Sequence, residues 1–170
     1  MILGMSLSAF TTFHVVLSLI GIVAGFVVLA GMFGSKLHRG WTALFLATTV
    51  LTSVTGFLFP FERVLPSHIF GVLSLVVLAI AIAALYGYQL VRSWRWIYVA
   101  SALLALYLNV FVLVAQAFLK LPFLNALAPT GSEPAFIVAQ LIVLVAFVWL
   151  GIVALRSFHP VADSPHLRTA

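Results

Sequence analysis

The sequence predicts an all-α integral membrane protein, a bundle of five transmembrane helices. Three observations lead there. Of its 170 residues, 65% are hydrophobic and 6% charged, against about 45–50% and about 25% in a soluble globular domain. Five apolar runs of near-spanning length contain no Asp, Glu, Lys or Arg. Basic and turn-forming residues fall between those runs. Eight Lys or Arg and three Asp or Glu cannot cover a water-soluble surface, and a chain this apolar is not disordered.

A helix needs roughly 20 apolar residues to cross a hydrocarbon core about 30 Å thick. The first span covers about residues 9–33. It starts without a basic residue and runs too long for a cleaved signal, so it reads as a retained helix. The second, 41–59, is the shortest. The third covers 67–90, the fourth 97–119 and the fifth 135–155. Ser67 after Pro66 reads as a cap of the third helix, and Ser132-Glu133-Pro134 as the start of the last. The breaks carry turn chemistry: Gly34 to Gly40, Pro60 to Pro66, Arg92 to Arg95, and Lys120 to Pro134. Residues 1–158 form one transmembrane domain and 159–170 a short polar cytoplasmic tail. No internal repeat or low-complexity tract interrupts it.

Orientation follows from the cations. Five crossings put Lys36, Arg39, Arg92, Arg95, Arg156 and Arg168 on one side, and Arg63 and Lys120 on the other. The basic side is cytoplasmic, so the N-terminus lies outside and the C-terminus inside. Trp41, Trp94, Trp96 and Tyr98 then form an aromatic belt at the inner boundary. Compact size, short loops and this bias suggest a bacterial inner membrane. The apolar outer segment 120–129 belongs in the interface or folds over the bundle mouth.

Small residues let membrane helices approach. His14, Ser18, Gly21 and Gly25 follow one another at i, i+4, i+7 and i+11, one stripe of the first helix. Thr48, Thr52 and Thr55 line the second, with Thr49, Ser53 and Gly56 beside them. Gly71, Ala79 and Ala83 do the same for the third.

Polar residues inside a bilayer are costly and turn inward. His14, His68, Gln116 and Gln140 all fall in the outer third of the membrane, with Asn109 and Tyr107 near its middle. Asn109 and Gln116 are seven residues apart and share a face. This convergence suggests one polar cavity near the outer surface. Neutral imidazole ligates haem iron, copper or zinc, and paired histidines on two helices can clamp a haem. The chain resembles bis-His b-type membrane cytochromes at that level alone, and no further motif matches.

The function classes narrow accordingly. No Cys is present, which removes disulfides and thiolate chemistry. The spans hold no carboxylate, which argues against a proton relay or a Ser/His/Asp hydrolase. No catalytic constellation and no phosphate-binding Gly loop are visible. A calculated pI near 10.3 comes from scattered cations that read as topology signals and lipid contacts, and not as a nucleic-acid surface. Three expectations remain. One is a redox module holding haem b or a metal between His14 and His68, in exchange with a quinone. Another is an accessory subunit packed against other membrane subunits. The last is a small-molecule or quinone carrier whose cavity is lined by Tyr107, Asn109, Gln116 and Gln140.

Overall fold

The computed structural model describes residues 2, 4–59 and 66–160, with 66 and 67 described in backbone only. Six α-helices and one π-helical turn carry the chain, and the described residues contain no β-strand. They are α1 (Leu7–Phe33), α2 (Arg39–Gly56), α3 (Pro66–Ile82) continued by a π turn (Ala83–Gly87), α4 (Trp94–Lys120), the single-turn α5 (Pro122–Asn125) and α6 (Pro134–Ser157). Four stretches are long and apolar enough to cross a membrane: α1, His68–Gly87, α4 and α6. This is the architecture of a multi-pass integral membrane protein.

α2 differs from the other four. Its 18 residues reach about 27 Å at 1.5 Å each, but six Thr and Ser side chains and Arg39 lower its hydropathy. Three of the hydroxyls are satisfied locally: Thr48 donates to Leu44 O at 2.7 Å, Ser53 to Thr49 O at 2.9 Å and Thr55 to Leu51 O at 2.7 Å, while the buried Thr42 and Thr52 hydroxyls have no partner among the described residues. Back-bonding of this kind removes the need for water.

The helices alternate in direction. α2 packs most extensively on α1, α3 lies against α2 and α4, and α6 lies against α4 with a smaller contact to α1. The α1–α2 contact uses the glycine stripe. A Cβ on Gly21 would meet the Thr48 and Thr49 hydroxyls at 3.1 and 3.2 Å. One on Gly25 would meet Leu106 Cδ1 at 2.5 Å and the Phe45 ring at 3.0 Å. The core they build includes Phe45, Leu46, Leu78, Ala81, Ala105 and Leu106.

The ends of the elements explain where the chain turns. Ser6 accepts the Ala9 N–H at 3.2 Å and caps α1. α1 stops with Ser35 in the left-handed region at φ 54°, where the Lys36 N–H reaches Gly31 O at 2.8 Å. Gly31 is required there, since a Cβ would sit 2.9 Å from Lys36 O. At the far side Glu133 precedes Pro134 at the α6 start without capping it. Its carboxylate turns back to the Thr130 and Ser132 N–H groups, both at 3.0 Å.

Four expectations change. The third helix starts at Pro66, so Ser67 lies inside its first turn and not ahead of it. Its inward face follows Gly71, Ser74, Leu78, Ala81 and Leu85, while Ala79 is exposed; eight residues from Gly71 leave Ala79 about 80° off that line. Tyr98 belongs to no belt. It is fully buried, with Phe158 packed 6.0 Å away, whereas Trp41, Trp96, Tyr86 and Tyr88 are exposed at the same end. The outer segment is no lid: α5 packs on α4, and Phe123 and Leu127 point outward.

Candidate functional site

The polar residues of the bundle were expected to line one cavity. The structure gives His14, Asn109 and Gln140 separate hydrogen-bond partners. His14, half-buried on α1, faces the last turn of α2, where its Nδ1 lies 2.8 Å from Thr55 Oγ1. The direction of that hydrogen bond follows from Thr55. Its hydroxyl also lies 2.7 Å from Leu51 O; with its proton given to that carbonyl, Oγ1 accepts from the imidazole Nδ1–H. That tautomer leaves the lone pair on Nε2. The ring is held edge-on to Phe59 at 5.2 Å, and Phe59 in turn packs on Phe10 at 5.0 Å. A side chain at Gly56 would approach His14 Cε1 at 3.7 Å. Those contacts fix the ring's orientation.

His68 lies one turn into α3, on the other flank of the same α2 end. Its ring packs against Phe57 at 5.7 Å and 32°. Phe57 is also pressed against Gly71, where a Cβ would meet its Cζ at 2.8 Å. Both histidines thus stand at one end of the bundle and at one level, that of residues 55–59. They make no hydrogen bond or ring contact with each other. The end of α2 and its two phenylalanines lie between α1 and α3.

The remaining residues are deeper or outside. Asn109 donates to Thr49 Oγ1 at 3.2 Å, six residues and about 9 Å along α2 from Thr55. Gln140 is buried and donates to Phe111 O at 3.1 Å, while its Oε1 has no partner. Tyr107 packs on Phe111 and Phe147 at 6.1 and 5.6 Å. Gln116 is exposed. It stands seven residues beyond Asn109, as Gly56 stands seven beyond Thr49, so α2 ends level with it and covers it no further.

Two surface hollows are apolar. One, of about 600 Å³, is lined by Val138, Leu141, Ile142, Val145, Ala146 and Trp149 of α6. The other, of about 340 Å³, lies between α3 and α4 beside Trp96. Neither meets the histidines. Among the described residues no three His, Cys, Asp or Glu side chains gather as a metal-ion set.

Sequence reasoning marked His14 and the Thr48-Thr52-Thr55 line but did not join them. The signal was there: both stripes end at the outer boundary of adjacent helices. Phe57 and Phe59 carried no such signal. No family model, no curated protein and no solved structure matches the chain.

Proposed function

We propose that the chain crosses a bacterial inner membrane five times, N-terminus outside and C-terminus in the cytoplasm. α2 serves as the fifth crossing, with the Thr48, Ser53 and Thr55 hydroxyls bonded to its own backbone. The functional centre is the outer end of the bundle, where His14, through Nε2, and His68 would hold haem b. The protein is then a small redox module that exchanges electrons with a membrane quinone.

The observation that carries this reading is the Thr55 hydrogen bond. Ligating histidines donate their other ring N–H to a fixed acceptor, which sets the tautomer and raises ligand basicity. His14 has that arrangement, with Nε2 left as the donor atom. A bare zinc or copper ion takes three or four protein ligands, whereas haem brings four of its own and asks for one or two. Among the described residues no third ligand joins the two imidazoles, and that set suits haem better than a free ion. Bound haem would supply one-electron chemistry; of the chain's own residues, Thr55 and Phe59 orient the His14 ring and Phe57 packs on His68.

The test is a visible absorption spectrum of the purified protein, as isolated and after reconstitution with haem b. A Soret band that disappears in His14→Ala and weakens in His68→Ala is expected. No band after reconstitution, or one indifferent to His14→Ala, overturns the reading. A second reading then applies, an accessory subunit of a larger membrane assembly. It is favoured by the broad outward apolar face of α6, where Ile142, Val145 and Trp149 are each more than half exposed. It is also favoured by the His14–Thr55, Asn109–Thr49 and Ser53–Ser74 pairs, which hold neighbouring helices together.

A further inference from the structure

The alternating helices bring five connections and ends to one pole of the bundle: the end of α1, the starts of α2 and α4, the π turn after α3, and the end of α6. Lys36, Arg39, Arg92, Arg95 and Arg156 gather there. Among the described residues no acid stands with them, since Glu133 lies at the opposite pole.

These cations are not merely scattered over a surface. Two hydrogen bonds stitch three of the segments together. The Arg95 guanidinium donates to Phe158 O, and the His159 N–H donates to Ser35 Oγ at 2.7 Å. Phe158 itself is fully buried and packs on Tyr98. The strap after α6 therefore joins the segments that carry Lys36 (next to Ser35), Arg95 and Arg156 (two residues before Phe158). Like charges brought together repel.

The helix ends reinforce the demand for an anion. Arg39 and Arg95 sit in the first turns of α2 and α4, where the helix dipole opposes a cation and favours an anion. Neither His38 nor Ser93, the residues preceding those helices, makes a side-chain cap hydrogen bond. First-turn N–H groups and converging cations thus point the same way. Exposed Trp41, Trp96, Tyr86 and Tyr88 at this pole mark the depth at which lipid headgroups lie.

We infer that this pole binds the phosphate headgroup of an anionic phospholipid, held by Lys36 and Arg156 on either side of the Phe158–His159 strap. Arg95 positions the strap and does not serve as the principal phosphate contact. The leaflet concerned is the cytoplasmic one if the proposed threading holds. The binding itself does not depend on that, so the following experiment is done in solution and is blind to sidedness.

The experiment is lipid retention by the full chain in detergent, read by native mass spectrometry. Phosphatidylglycerol competes with phosphatidylcholine of the same acyl composition. Wild-type protein is expected to retain the anionic lipid preferentially. Lys36→Gln and Arg156→Gln replace exposed side chains and leave the strap intact. Each is expected to weaken that preference about fivefold, the equivalent of about 1 kcal/mol per cation near an anionic surface. Lys120→Gln, at the opposite pole, is expected to leave it unchanged. Equal retention of the two lipids, or equal loss in Lys120→Gln, overturns the proposal. So does an unfolding midpoint raised as much by inorganic phosphate as by phosphatidylglycerol, because the ligand would then be a free anion.

Discussion

At the scale of single residues, two groups with titratable atoms are held in defined geometry. Thr55 is the only hydrogen-bond partner of His14 that the described residues supply. Thr55→Val keeps the shape and removes the acceptor. Interhelical hydrogen bonds in membranes average about 0.6 kcal/mol and reach about 1.7, so a loss of that order is expected in detergent unfolding. A purely structural pair stops there. A ligand pair goes further, because removing the group that orients a ligating histidine costs about 10–100-fold in affinity; a matching fall in haem retention in Thr55→Val separates the two roles. Glu133 is the other group. The Thr130 N–H, then the Thr130 hydroxyl and the Ser132 N–H, hold its carboxyl below the ordinary 4.5. A depressed carboxylate stabilises the loop fully above the unfolded value and loses that effect as pH falls through the lower folded one. The protection of the Thr130 and Ser132 amides, relative to their intrinsic exchange rates at each pH, is therefore expected to hold steady at pH 5–7 and to fall below about 4.5, and to be low at every pH in Glu133→Gln. Unchanged protection across that range in the wild type contradicts the loop's hydrogen bonds.

At the scale of elements, the α1–α2 contact depends on the absence of side chains at two positions. Gly25 faces two apolar groups, one of which is the fully buried Phe45 ring. Overpacking a filled core costs about 1–3 kcal/mol. Gly25→Val is expected to fall in that range by equilibrium unfolding, while Gly40→Ala, with nothing within 4 Å of its Cβ, is expected to be neutral or slightly stabilising. Equal effects would mean that α1 and α2 do not meet along the glycine stripe. This contact was legible beforehand, because i, i+4, i+7 and i+11 spacing fixes a face regardless of what lies opposite. The spans were legible for the same kind of reason: apolar runs end where Gly, Pro and cations begin. What lies opposite a face was not legible. The turn of α3 toward Ser74 and Leu78 depends on where α2 and α4 stand, so the small residues Ala79 and Ala83 misled. Gln89, Leu90 and Arg92 hold left-handed backbone without glycine, its usual marker, and nothing in the sequence announces the π turn. Of the site, the depth of the two histidines could be read from position along each helix. The partner that sets the His14 tautomer could not.

At the scale of the whole molecule, two poles differ in chemistry. One carries the imidazoles, Lys120 and Glu133. The other carries Lys36, Arg39, Arg92, Arg95 and Arg156. The haem reading and the sidedness of the lipid reading draw on this polarity, and its orientation depends on α2 crossing with its neighbours. Its six hydroxyl side chains lower its hydropathy, and three of them, Thr48, Ser53 and Thr55, bond back to its own carbonyls.

Single-cysteine labelling tests that crossing directly, because the chain contains no cysteine. Gly34→Cys and Ser93→Cys lie in the exposed connections before α2 and before α4, and Leu127→Cys in the exposed loop before α6. A membrane-impermeant thiol reagent applied to intact cells is expected to modify Leu127→Cys and to spare both Gly34→Cys and Ser93→Cys until the membrane is opened. If Gly34→Cys and Ser93→Cys react from opposite sides, α2 does not cross and the account fails.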